Sequence, residues 1–358
     1  MWVKVKQPAD DVPPATMTSE AVPHTVTVND SARQLPQQLP STIFAIPFPK
    51  PVQHNANDEE PVPFLLYTFP RSVYEKPPKD PVTGKRGKEK LVKKFERKWQ
   101  EEVKEGRDIK RGQHKAAGRL KRAKGAIARV AASTIQWLPN NVMEVLARLP
   151  PPKKIGKVSI IYPESVDMPW FNTTNLSKPQ IQKRFWDLLM EAKKSAKTKI
   201  ALSGFLLPVT LAIDILVIVP LFIFEINLAY FVTQLNGSRK TKHFAEANKQ
   251  AQQAASHGEE MDSVFEFKAS PADRFTETMK HLYTISSTID PIKFPLHADL
   301  PPPNYTPRKE IAAELIHMFQ ESLDPDVLAR HNLDEELVAL DLDRALRKGA
   351  KEYVKKLK

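Results

Sequence analysis

The sequence predicts a mainly helical membrane protein with a small β element. Its parts are a kinked apolar helical hairpin, a basic helical arm and a helical C-terminal tail. Three observations predict this class. Residues 200–232 run for 33 positions without Lys, Arg or His. The net charge of +12 sits in one stretch: residues 84–131 hold 18 basic and 6 acidic residues, and the remainder is balanced at 36 of each. The 358 residues include 32 Pro and only 11 Gly, which favours irregular connections and leaves little for phosphate-cradling loops.

The apolar run comes first because it decides the class. A stretch above about 18 apolar residues is a membrane candidate. As one straight helix, residues 200–232 would extend about 50 Å, against a hydrocarbon core of about 30 Å. Pro208, Asp214, Pro220, Glu225 and Asn227 interrupt it. Lys193, Lys194, Lys197 and Lys199 precede it, and Arg239, Lys240 and Lys242 follow. Basic residues on both flanks favour two ends in one compartment. The expected form is a hairpin shaped by Pro208 or Pro220. One long tilted span and a buried pair of soluble helices stay open as alternatives.

Asp214 and Glu225 are eleven residues apart, which returns near the same face of an unbroken helix. Ionisable groups at membrane depth are costly, so the pair is a candidate ion or proton path. The plain alternative is interfacial snorkelling for Glu225 and a lysine partner or cap for Asp214. Upstream, Ser177-Lys178-Pro179 opens a helix. Its apolar face, Ile181, Phe185, Leu188, Leu189 and Ala192, reads as an interfacial amphipathic helix over residues 179–199. Asn236-Gly237 reads as a helix stop.

Residues 84–132 form the basic arm. Leu91, Val92, Phe95, Trp99 and Val103 make a near i, i+4 apolar stripe. The candidate lipid- or polyanion-binding residues are Lys93, Lys94, Arg97, Lys98, Lys110, Arg111, Arg119, Lys121, Arg122 and Lys124. A solvated helix pair is the plain reading. Anionic lipid would attract the arm by about 1 kcal/mol per basic residue. Nucleic acid would draw on the same charge, but no RNA-recognition consensus accompanies it.

Residues 1–40 read as a disordered N-terminal region and 41–83 as short strands and loops. Residues 42–48, 63–69 and 157–162 have strand character and could share one small sheet. Residues 133–242 form the membrane-associated core in this reading, 243–307 add helices and a Pro-rich linker, and 308–358 form the helical tail. Ile311, Leu315, Met318 and Phe319, then Leu337, Leu340, Leu346 and Val354, are spaced for packing.

Zero cysteine excludes a disulfide scaffold, thiolate metal sites and cysteine nucleophile chemistry. No Walker loop, GxGxxG, GxSxG or HExxH is present. Nine histidines are scattered singly, and Asp341-Leu-Asp343 reads as a helix surface. The expectation is a protein without enzymatic activity, cofactor or metal.

Residues 155–242 resemble the mitochondrial potassium–proton exchange-related family. The resemblance rests on Tyr162-Pro163 ending a strand, Lys183-Arg184-Phe185-Trp186 on a basic helix, Leu207-Pro208-Val209-Thr210, Pro220, the aromatic stretch 222–231 and Asn236-Gly237-Ser238, with a Leu/Pro-rich segment at 137–151 upstream. It implies the mitochondrial inner membrane and an accessory or regulatory part in potassium and proton homeostasis. The long basic arm, the tail and the lack of a clear presequence depart from the pattern. A single hairpin cannot enclose an ion path, so protein partners or a homo-oligomer are expected beside anionic lipid. The alternative is a scaffold or assembly factor whose arm binds RNA, a ribosome or an acidic partner.

Overall fold

The computed structural model describes residues 41–52, 63–70, 73, 142–151, 155–168, 171–175, 177–216, 223–256, 264–297, 300, 309–323, 325–328 and 332–357. The basic arm and the N-terminal forty residues lie outside them, as do all ten candidate lipid- or polyanion-binding residues.

Four strands form one mixed sheet: β1 (Thr42–Pro47), β2 (Phe64–Tyr67), β3 (Val158–Pro163) and β6 (Phe265–Ser270), in the order β2-β1-β3-β6. β1 pairs antiparallel with β2, setting Phe44 opposite Tyr67. The β1–β3 and β3–β6 pairs are parallel, with Ile43 beside Ile160 and Val158 beside Phe265. Every residue of β1 is buried, as a strand covered on both faces must be. The three sequence-predicted strands therefore do share a sheet. The fourth escaped notice because Phe265–Ser270 is half exposed and carries Glu266 and Lys268. Backbone pairing also joins β4 (Ser165–Met168) and β5 (Phe171–Asn175) into a two-stranded antiparallel ribbon.

The helices are α1 (Val142–Arg148), α2 (Lys178–Leu216), α3 (Ile223–Ser256), α4 (Thr276–Ile289), α5 (Glu310–Glu321), α6 (Pro325–Leu328) and α7 (Glu335–Lys356). Phe265 and Phe267 of β6 meet α2 through Phe185, at ring separations of 5.0 and 5.7 Å. Phe265 also meets Phe244 of α3. On β2, Leu65 lies against Gly349 of α7. Phe69, just beyond β2, touches Phe319 of α5.

The structure corrects the sequence reading in two places here. Among the described residues no helix is long and apolar enough to cross a membrane, so the membrane-protein fold class does not hold. The fold is mainly helical around a small mixed sheet. The expected bilayer-facing stripe of residues 179–199 instead meets the sheet: Ile181, Phe185, Leu189 and Ala196 are buried in the core. An amphipathic face says only that something apolar covers it, and here β6 does. The C-terminal stretch packs as its spacing predicts. Leu337, Leu342, Leu346 and Val354 of α7 are core residues, with acids in its first turn and lysines in its last.

Asn236-Gly237 does not stop a helix: α3 runs through it to Ser256. Gly237 is there for packing. A Cβ at this position would lie 2.9 Å from Met143 Cα and closer still to Met143 O, so α1 rests directly on the glycine. Gly237→Ala is expected to push α1 off α3 and cost about 1–3 kcal/mol, read as a lower urea midpoint at unchanged m-value. An unaltered midpoint would mean that α1 shifts freely.

Candidate functional site

Two features of the structure bear on function: the α2–α3 pair and the cluster of charges where α1 meets α7.

α2 has 39 residues and α3 has 34, which makes them about 58 and 51 Å long. Ser177 opens α2 with a partial capping box, its backbone N–H donating to Gln180 Oε1 at 3.4 Å. The helices pack on each other along the apolar run, where Gly204 approaches Phe231. A polar clasp joins them there. The Ser203 hydroxyl donates to Asn227 Oδ1 (2.5 Å), and Asn227 Nδ2 donates back to Ser203 O (3.1 Å). The sequence marks Asn227 as an interruption, and the structure makes it the interhelical fastening.

α2 and α3 pack side by side, and Pro208 does not end α2. α2 continues past Pro208, whose ring is exposed, as far as Leu216. α3 begins at Ile223, and residues 217–222, Pro220 among them, lie outside the described residues. Asp214 is on α2 and Glu225 on α3. The two acids are therefore not on one unbroken helix, and the eleven-residue same-face argument fails. Their side chains lie outside the described residues.

The distal part of the pair stands outside the core. Ile200 is the last residue of α2 against the hydrophobic cluster, and Phe244 is the first core residue of α3. Between them Leu202, Phe205, Leu206 and Val209 are exposed, with Phe205 75% and Leu202 60% accessible. Their spacing of i, i+3, i+4, i+7 is one helix face. Leu228 and Val232 add exposed apolar surface on α3. The flanking lysines divide. Lys194 and Lys197 are exposed, and Lys193 and Lys199 are partly so. Lys240 is buried: its Nζ donates to Leu146 O and Ala147 O at 2.9 Å each, and also to Leu149 O. It caps the C-terminal end of α1, where a cation meets unpaired carbonyls. A count of flanking charge could not separate this capping lysine from its solvated neighbours.

At the second feature, Arg148 ends α1. Its Nη1 donates to Asp341 Oδ2 (2.9 Å) and Thr68 O (3.0 Å), and its Nη2 donates to Glu144 Oε1 (2.9 Å). Burial works against the charge of Arg148, yet Asp341 and Glu144 outweigh it and hold the guanidinium more firmly protonated than usual. Lys348 Nζ lies 3.7 Å from Glu144. Burial lowers its pKa, and Glu144 offsets part of that. Asp343 receives hydrogen bonds from Arg347 Nε and pairs with His281 Nε2 at 2.8 Å. Burial raises its pKa, but those two partners leave the carboxyl below its ordinary range. The expected helix surface at Asp341-Leu-Asp343 is thus a pair of buried or half-buried ion contacts. The signal was Arg148, too distant in sequence to suggest a partner.

Among the described residues no cluster of three or more His, Asp or Glu is placed to hold a metal ion. The ion contacts join helices to one another, as structural networks do. The exposed apolar face of α2 and α3 is the candidate functional surface. The class defined is a mixed-sheet body carrying a long helical pair. No family model, curated protein or solved structure matches the chain.

Proposed function

We propose that this chain is an accessory component of potassium and proton homeostasis that works attached to an anionic lipid surface. It is neither a carrier nor an enzyme. The observation that carries the attachment is the exposed apolar face Leu202–Phe205–Leu206–Val209, which lies just beyond Lys193, Lys194, Lys197 and Lys199. Apolar residues beside cations fit the headgroup region, where the former bury and the latter meet phosphate. The attachment is peripheral, along the interface, with no crossing. The ion-homeostasis part rests on the resemblance at residues 155–242, which would place the surface in mitochondria.

Mitochondria lacking the chain are expected to swell abnormally in potassium acetate. The wild-type chain should restore normal swelling, and so should Asp214→Asn/Glu225→Gln. Failure of that double variant, at normal abundance, would contradict the accessory role and make the acids part of an ion path.

The charge of residues 84–131 favours a second reading, a scaffold whose arm binds RNA or a ribosome. Ribosome co-sedimentation that is lost as salt rises would support it.

A further inference from the structure

A cavity of about 450 Å³ opens at the outer edge of the sheet, where β2 lies between α2 and α7. Its floor is apolar, with Phe48, Leu65, Leu188 and Tyr353 among the lining residues. Phe48 and Tyr353 stack at 4.5 Å, and the Tyr353 hydroxyl donates to Pro49 O (3.0 Å). Gly349 allows α7 this close to β2, since a Cβ would fall 2.8 Å from Leu65 Cδ1. Three cations line the wall, Arg184 and Lys199 on α2 and Lys356 on α7, against two acids, Glu191 and Glu352. Lys356 and Glu191 face each other at 3.9 Å, both largely exposed, a pair too solvated to hold the mouth shut. Arg184 differs. Its Nε is shielded from solvent and has no hydrogen-bond partner. Arg184 lines the cavity half-buried, whereas Lys356 at the mouth is largely exposed.

We infer that this cavity is a binding site for a single-chain amphiphile with an anionic head. The chain lies along Phe48, Leu65, Leu188 and Tyr353. The carboxylate or phosphate head accepts hydrogen bonds from Arg184, with Lys199 and Lys356 at the rim. The volume falls within the range of small-ligand pockets, and the surplus cation selects an anion over a neutral amphiphile. The site lies at the body and is separate from the exposed stripe of α2. Arg184 and Leu188 sit on the sheet side of Ile200, whereas Leu202 and Phe205 lie beyond it.

The test uses the full-length protein and the fluorescent probe dansyl-undecanoate. Saturable binding with a blue-shifted emission is expected. Oleate and lysophosphatidate are run as competitors, and whichever displaces the probe at lower concentration identifies the head group. Inorganic phosphate alone should displace it poorly, because the apolar floor is left unused. Arg184→Gln should weaken binding about tenfold. Ala192→Phe, which fills the cavity from its wall, should abolish binding while the thermal melt stays cooperative. Leu202→Glu/Phe205→Glu should leave probe binding unchanged. The inference is overturned by non-saturable binding, by binding insensitive to Arg184→Gln and Ala192→Phe, or by binding lost only in the Leu202/Phe205 variant.

Discussion

Arg148→Ala is expected to lower the unfolding free energy by about 3–5 kcal/mol, the cost of leaving a buried partner charge uncompensated. Asp341 is only 3% exposed, and Arg148 is its hydrogen-bond donor from another helix at 2.9 Å. Without the guanidinium, Asp341 must take up a proton or draw water into the core. Thr68 O and Glu144 lose a donor as well. The double variant Arg148→Met/Asp341→Leu should lose much less than Arg148→Ala, because neither charge remains buried. Equilibrium urea unfolding of both variants separates the cases, and equal losses would mean that packing alone governs the site. The contrast is Arg274, whose partners Glu314 and Glu321 are about half exposed. Removing that pairing should cost about 0–1 kcal/mol.

Leu202→Glu/Phe205→Glu should leave folding intact and weaken attachment to anionic vesicles about a hundredfold. Both side chains are exposed and make no part of the core, so the folded body loses little. On a lipid surface each contributes up to about 1.5–3 kcal/mol of apolar burial, and two such losses reach or exceed a hundredfold in affinity. An apolar stripe at i, i+3, i+4, i+7 could also meet a second copy of itself, as in a coiled coil. In that case the wild type would dimerise without lipid and the variant would be monomeric.

Much of the body was legible in the sequence because it follows local rules. The strands 42–47, 64–67 and 158–163 carry β-branched and aromatic residues. The packing residues of α5 and α7 repeat at helical spacing, and all but the half-buried Leu340 enter the core. What failed needed tertiary knowledge. An amphipathic helix ahead of an apolar run looks the same whether Phe185 meets acyl chains or Phe265. Gly237 after Asn236 looks like a stop, and only the proximity of Met143 explains it as a contact. Lys240 reads as flanking charge until the end of α1 is seen beneath it. Asp341 reads as exposed because its partner Arg148 is 193 residues away. The apolar run was legible as helix and wrongly assigned to the membrane: its outer face is open, yet no described helix is long and apolar enough to cross a bilayer.

Flotation of the full-length protein with vesicles tests the central claim most directly. The vesicles should be neutral in one arm and contain cardiolipin in the other, across a range of salt. The account predicts flotation with the anionic vesicles only, weakened by salt and lost in Leu202→Glu/Phe205→Glu. Protease should reach the distal part of α2 and α3 from the outside, without a protected spanning fragment. Flotation indifferent to vesicle charge and to the double variant would contradict the proposed attachment, and so would no flotation at all.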